Sequence, residues 1–308
     1  MPSQQTPTAF VVVGPTAVGK TCVALMLARL LQTNILSADS RQCNTELNIG
    51  VAKPTMDELA QTPHYFINSH SIHNPVDAAV YENYALNVLS GIFTTHQTAV
   101  VVGGTGLYIK ALCHGVDQMP AIPAQIRQAI RSGYHAEGLE FVHRHLEQYD
   151  PELLATTLER QNPHRMMRAL EFAMATGASI RHFQTGIPIK RPFKLVMIGL
   201  ELPKEELTQR INARVDNMMQ EGLYAEVQQL LPFKHLSALQ TVGYREFFEH
   251  FEGRCSPEAA VEFIKRNTRH YAKRQLTWFK KDAETTWFSP NDEADICAFV
   301  KHKLAQSD

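Results

Sequence analysis

The chain has 308 residues, of which 44% are hydrophobic and 20% charged, so it can bury a sizeable core in one large α/β domain or a core with a smaller companion. Its formal net charge of −1 means that a polyanion partner must be met by a local basic patch, not by bulk charge. The five cysteines (Cys22, Cys43, Cys113, Cys255, Cys297) form no C-x-x-C pair, which argues against a zinc site or a disulfide framework and for a reducing cytoplasm.

Met1 to Thr8 is polar and reads as a loose lead. The early apolar run Ala9 to Val13 is too short for a signal segment or a membrane span. Within it, Phe10-Val11-Val12-Val13 reads as a buried strand. Gly14-Pro15-Thr16-Ala17-Val18-Gly19-Lys20-Thr21 follows and matches the P-loop pattern G-x-x-x-x-G-K-[ST], and Thr21 to Leu31 reads as a helix. Strand, glycine loop and helix in that order turn several backbone N–H groups toward one anion. Gly14 and Gly19 allow close approach, Lys20 adds a point charge, and the Thr21 hydroxyl offers a ligand for Mg²⁺. The motif does not say which phosphate is held.

Asn34 to Ala38 reads as a second strand ending in Asp39-Ser40-Arg41-Gln42. Loops at the carboxyl ends of strands gather at one crevice of an open α/β sheet, which puts Asp39 beside the P-loop. Asp39 reads equally well as a group that binds its own loop backbone. Asn48 to His73 reads as loop, with Lys53 a loop cation and His64, His70 and His73 lacking ligand spacing. Val80, Tyr84 and Val88 predict a helix after Pro75. Ala99 to Val102 predicts another buried strand, closed by Gly103-Gly104-Thr105-Gly106-Leu107-Tyr108. A strand ending in glycine without an acidic residue is not an ordinary Walker B strand, which counts against a standard ATPase or GTPase.

Composition shifts after Met119-Pro120. Residues 122–185 predict three helices and no strand, a small helical insertion in which Met167, Leu170 and Met174 form a stripe beside Arg165 and Arg168. Lys194 to Leu200 resumes the sheet. A helix from Pro203 to Gly222 carries Arg210 and Arg214 four residues apart, either surface charges or phosphate partners. Gln240 to Arg245 is a glycine-containing break. Residues 265–281 then hold seven Lys or Arg and no Asp or Glu, interleaved with Tyr271 and Trp278. That suits a phosphate backbone and unstacked bases, or a basic helix with its aromatics packed inward. Thr285 to Ser289 predicts a last strand, and the tail a helix.

Assembled, these motifs closely resemble the tRNA dimethylallyltransferase (tRNA isopentenyltransferase) family. The matching stretches are GPTAVGKT, DSRQ with NIGVAKP, GGTGLYI, NPHRMMRALE, RINARVD, TVGYRE and TRHYAKRQLTWF, and they span nearly the whole chain. The resemblance implies a P-loop NTPase-like α/β core, a parallel sheet flanked by helices, in two parts (residues 1–120 and 191–308) around a tRNA-contacting helical domain (121–190). It implies Mg²⁺, dimethylallyl diphosphate and a tRNA anticodon stem-loop as cofactor and partners, with no membrane and a monomeric chain. The product would be an adenosine 3′ of the anticodon, in tRNAs reading codons that begin with U, alkylated at N6. On that resemblance Asp39 is the general base and Thr105 the hydroxyl at the reacting centre. Thr16 to Thr21 hold diphosphate, with Arg214 added. Asp39, Ser40, Arg41, Gln42, Thr105, Arg127, His164, Arg165, Met166, Met167, Arg168, Gln240, Thr241, Val242, Gly243, Tyr244 and Arg245 fall in tRNA-contacting segments. Asn44, Val51 and His164 depart from the residues usual in the family. A small-molecule kinase would explain the P-loop but not GGTGLY or the aromatic basic segment.

Overall fold

The computed structural model describes residues 6–306. Contacts divide these into two compact units, one running to Gly115 and resuming at Lys190, the other Val116–Ile189. The larger unit opens with β1 (Thr8–Val13), α1 (Lys20–Leu31), β2 (Ile35–Ser37), α2 (Met56–Gln61), β3 (His64–Tyr65), α3 (Ala78–Ile92), β4 (Thr98–Gly103) and α4 (Gly106–His114). The smaller unit holds α5 (Ala124–Glu137), α6 (Leu139–Tyr149), α7 (Pro151–Thr156) and α8 (Pro163–Thr176). The larger unit then returns with β5 (Lys194–Leu200), α9 (Lys204–Glu221), α10 (Leu223–Leu230), α11 (Arg245–Phe251), α12 (Pro257–Phe279), β6 (Thr286–Phe288) and α13 (Glu293–Ala305).

The six strands form one parallel sheet in the order β3-β2-β4-β1-β5-β6. After β1 the chain moves to one side, to β2, and after β4 it crosses to the other side, to β5. The order therefore reverses between β4 and β1, and the crevice outside their carboxyl ends is where such sheets hold ligands. Both faces of the sheet are covered. Val11, Val13 and Val101 pack with Tyr81, Leu89 and Leu112 on one side, and Phe10, Val12 and Ile198 with Leu27 and Val300 on the other. That burial on both faces explains why the strands read as continuous apolar runs and not as alternating ones. A third cluster around Leu47, Val215, Val227 and Phe247 fixes α9 to α12 against the loops that follow β2. The helical unit has its own core of Ile130, Val142, Leu146, Met166 and Leu170.

Several expectations change. Thr8 belongs to β1 and is 2% exposed, while residues 1–5 lie outside the described residues. The loop expected from Asn48 to His73 contains α2, with a reciprocal Thr55–Glu58 capping box, and the edge strand β3. In α3 the buried apolar positions are Tyr81, Ala85, Leu89 and Ile92, with Tyr84 and Val88 half-buried at their edge and Val80 exposed. The helical unit has a fourth short helix, α7, capped by Asp150.

Candidate active site

Three strand-end loops meet at the sheet's carboxyl edge. The first, after β1, is shaped by positive φ angles at Gly14 (147°), Ala17 (64°) and Gly19 (109°). A Cβ on Gly14 would lie 2.6 Å from the Leu200 carbonyl oxygen, so glycine is required there for packing as well as for φ. Lys20 Nζ donates to the carbonyls of Gly14 (3.1 Å) and Pro15 (2.7 Å).

The second loop follows β2. Asp39 Oδ1 accepts the N–H groups of Arg41 (2.8 Å) and Gln42 (3.2 Å), so its backbone-binding role is real. Its Oδ2 takes no hydrogen bond among the described residues, leaving one oxygen for chemistry. The two readings of Asp39 are therefore compatible, because the turn bonds fix the orientation of the carboxylate. Gln42 Nε2 donates to the Ala52 carbonyl at 2.9 Å.

The third loop follows β4, and its glycines are needed for close approach. A Cβ on Gly103 would sit 2.2 Å from the Ala38 carbonyl oxygen, one on Gly104 2.2 Å from Gln275 Nε2, and one on Gly106 2.3 Å from Trp278 Nε1. Thr105 Oγ1 accepts the Ser40 N–H at 3.0 Å and lies 3.3 Å from Ser40 Oγ, which ties it to the residue next to Asp39.

A cavity of about 310 Å³ lies between these loops. Thr16, Ala17, Gly19, Lys20 and Thr21 line it from the P-loop side, Asp39 and Gln42 from the second loop, and Arg210 and Arg214 from α9. Arg214 Nη1 reaches Thr16 Oγ1 at 3.4 Å. Loss of hydration pulls the Lys20 ammonium down to about 8, opposed by the Asp39 carboxylate and reinforced by Arg214. Desolvation also lowers Arg214, again with Asp39 opposing. Burial and then Asp39 push the Cys43 thiol up to about 11, so this thiol stays protonated near neutrality. The cavity thus holds a cluster of cationic and N–H donors facing one carboxylate, an arrangement suited to gripping an anion while accepting a proton.

Four groups that sequence reasoning missed or undervalued hold the site together. Gln275, within the basic segment, is buried and bridges the first and third loops, donating to the Gly104 carbonyl and accepting the Thr16 N–H, both at 2.8 Å. Arg210 lines the cavity and pairs with Glu206 at 2.9 Å. Lys53 donates to Asn44 O (2.6 Å), Asn48 Oδ1 (3.1 Å) and Asn68 Oδ1 (2.5 Å), so it is a loop organiser and not merely a loop cation. Glu226 accepts the N–H groups of Asn48, Ile49 and Gly50 and the Tyr244 hydroxyl (2.6 Å), fastening NIG to TVGY. Glycine at the end of β4 signalled a close approach, but nothing in the sequence near Gln275 marked it as the group that approaches.

The expected RNA-facing residues divide into exposed and buried groups. Gln240 and Arg245 are exposed, and Thr241 and Val242 are half-buried. Gly243 is buried and its N–H donates to Glu246. Tyr244 is 0% exposed, so its side chain is core and any contact from it must go through the backbone. In the helical unit, Arg127 on α5 and Arg168 on α8 both approach Glu171 (3.7 and 3.0 Å), and Arg168 covers the Phe172 ring at 4.5 Å. His164 is exposed, Arg165 pairs with Glu159, and Met167 is half-buried. Met166, 2% exposed, is also core, so any contact from it must likewise go through the backbone. On α12, carboxylates engage Lys265 and Lys280, and Arg269 donates to Asn212, whereas Lys273 and Arg274 are exposed with no carboxylate partner among the described residues.

The family model described as IPP transferase matches residues 42–282. The chain is 44% identical over 297 residues to a tRNA dimethylallyltransferase of Cytophaga hutchinsonii, covering 96% of this chain and 97% of that one. It is 42% identical to tRNA dimethylallyltransferase 1 of Bacteroides thetaiotaomicron, covering 96% of each. Among solved structures it is similar to the tRNA isopentenylpyrophosphate transferase of Bacillus halodurans, with a TM-score of 0.73, 33% identity and 97% of both chains covered. A eukaryotic dimethylallyltransferase solved acting on tRNA shares the fold, with a TM-score of 0.77 at 22% identity over 94% of this chain and 75% of that one.

Proposed function

From membership of the IPP transferase family, to which this chain belongs, we propose that it transfers a dimethylallyl group from dimethylallyl diphosphate to tRNA. The acceptor is N6 of the adenosine just 3′ of the anticodon in tRNAs reading codons that begin with U, and diphosphate is the second product. One observation carries this reading: a single cavity sets the P-loop, Lys20, Arg210 and Arg214 against the carboxylate of Asp39.

The chemistry is substitution at carbon. As the allylic C–O bond breaks, negative charge grows on diphosphate, where the loop N–H groups, Lys20 and Arg214 oppose it. The adenine amine is a weak nucleophile because its lone pair is shared with the ring. Asp39, with Oδ1 held by its own turn, offers an oxygen to the departing N6 proton as the C–N bond forms, a contribution of about two to four orders of magnitude in rate. Thr105, whose hydroxyl is tied to Ser40 beside Asp39 although it does not line the cavity, is assigned to the N6 side of the crevice. The target base must leave its stack to reach this crevice, which suits a loop adenosine. Lys273 and Arg274 then face the phosphate backbone of the anticodon stem-loop.

Mg²⁺ fits the donors. Thr21 presents a hydroxyl to the cavity, and no cluster of three His, Cys, Asp or Glu able to hold a metal occurs among the described residues. The Thr21 hydroxyl would hold such an ion beside the diphosphate, and when bound it would supply positive charge to the leaving group. The reading takes the chain to act as a monomer. No helix among the described residues is long and apolar enough to cross a membrane, and the reading places the enzyme with tRNA in the cytoplasm.

The test is mass spectrometry of tRNA after incubation with the chain, Mg²⁺ and dimethylallyl diphosphate. The expected result is one added C₅H₈ on the anticodon-loop fragment. Unmodified RNA alongside ATP-dependent phosphorylation of a small acceptor would replace this reading with a kinase.

A further inference from the structure

The carboxamide of Gln275 joins two loops with different jobs. Its Oε1 accepts the Thr16 N–H and its Nε2 donates to the Gly104 carbonyl, each at 2.8 Å, in a side chain only 6% exposed. A trans peptide is planar, with its N–H and C=O pointing opposite ways. Holding the Thr16 N–H therefore aims the Pro15 carbonyl away from Gln275, and on that far side it accepts from Lys20 Nζ at 2.7 Å. At the other end of the carboxamide, Gly104 precedes Thr105, whose hydroxyl accepts the N–H of Ser40 beside Asp39. Gln275 thus stands one peptide from the ammonium and one residue from the hydroxyl.

A merely space-filling side chain would need volume alone. Here the site is shaped for an amide, because a Cβ on residue 104 would lie 2.2 Å from Nε2 and glycine leaves room for it. Thr16 is also fastened through its hydroxyl by Arg214 at 3.4 Å, so the peptide that Gln275 orients is held from two sides. Gln275 rides on α12, directly after Lys273 and Arg274, which are exposed and carry no carboxylate partner among the described residues.

Resting on the transferase reading, we propose that Gln275 is a positioning residue that links RNA held on α12 to the geometry of the diphosphate loop. RNA on Lys273 and Arg274 steadies the helix, the helix steadies the carboxamide, and the carboxamide sets the Thr16 peptide and with it Lys20. Coupling between two ligands is reciprocal, so RNA tightens diphosphate binding and diphosphate tightens RNA binding by one shared factor.

The experiment measures inorganic pyrophosphate affinity by calorimetry, with and without an anticodon stem-loop RNA, for the full chain and for Gln275→Met, Gly104→Ala and the double variant. In the wild type, RNA tightens pyrophosphate by about fivefold or more, the ordinary range of coupling between sites. In Gln275→Met that factor falls to about one, while RNA alone binds as it does to the wild type. Gly104→Ala displaces the carboxamide and gives the same loss, and the double variant is no worse than either single one because both break one contact. Coupling that survives in Gln275→Met, or losses that add in the double variant, overturns the assignment. A wild type that modifies tRNA and binds both ligands without coupling also overturns it. A wild type that neither binds pyrophosphate nor modifies tRNA overturns the transferase reading itself.

Discussion

The Asp39 carboxylate and the Lys20 ammonium act on one another across a single cavity, where desolvation brings Lys20 down to about 8 and Asp39 resists the fall. Lys20 therefore loses its charge near the upper end of the working pH range. Pyrophosphate affinity is expected to fall as pH rises above about 8, and Lys20→Arg, which stays charged, is expected to flatten that fall. The sign for stability is the reverse. The unfolded chain holds this proton more tightly than the folded one, so stability from this group rises as pH climbs through about 8 toward the unfolded value of 10.5. Calorimetric titration and thermal unfolding across that window check both directions.

Asp39→Asn keeps an acceptor for the Arg41 and Gln42 N–H groups and removes the base. Single-turnover transfer is expected to drop by about 10² to 10⁴. Pyrophosphate binding should stay close to wild type. A variant that turns over normally would remove Asp39 from the chemistry.

Gly103→Ala forces a methyl group toward the Ala38 carbonyl, 2.2 Å from the ideal Cβ position. Backbone atoms cannot step aside as a flexible side chain can. Overpacking of this kind is expected to destabilise the chain by about 1–3 kcal/mol, read as a lower midpoint in urea.

Lys273 and Arg274, changed together to Ala, are expected to weaken tRNA binding and to reduce the slope of log K against log salt by about 1 to 2. Lys265→Ala is the contrast, because Lys265 is already engaged by Asp216 (2.7 Å) and Glu262 (3.2 Å). Its slope should match wild type.

Glu82 and Arg191 form an ion pair at 2.5 Å with side chains 9% and 6% exposed, and Arg191 also donates to the carbonyls of Ala111 and Leu112 at 2.7 Å. This anchors the chain where it returns from the helical unit. Glu82→Ala strands a buried guanidinium and is expected to cost about 3–5 kcal/mol in chemical unfolding.

Much of this was legible from local pattern. The Gly19 start of α1 and the Gly222 stop of α9 rest on interactions within a few residues of the chain, and the strands showed as unbroken apolar runs because both sheet faces are covered. The α2 capping box was readable too, in Thr55 and Glu58, but a helix of six residues gives too little periodicity to stand out. Strand β3 gives still less, being two residues paired to β2 through its backbone. Gln275 was hidden for another reason. Its role comes from partners 259 and 171 positions away, and its own neighbours in sequence are basic and exposed. Tyr244 misled in the opposite sense, since a tyrosine in a glycine-rich turn reads as available until Glu226 is seen to receive its hydroxyl.

That same glutamate makes two stretches of chain answer to one fastening. Asn48 to Gly50 and Tyr244 are separated by almost two hundred positions, yet both hang on the Glu226 carboxylate. Neither can be retuned alone. A change in one loop must be tolerated by the other, so inherited variation in these two loops should come as matched sets, with Glu226 as the hinge pin between them.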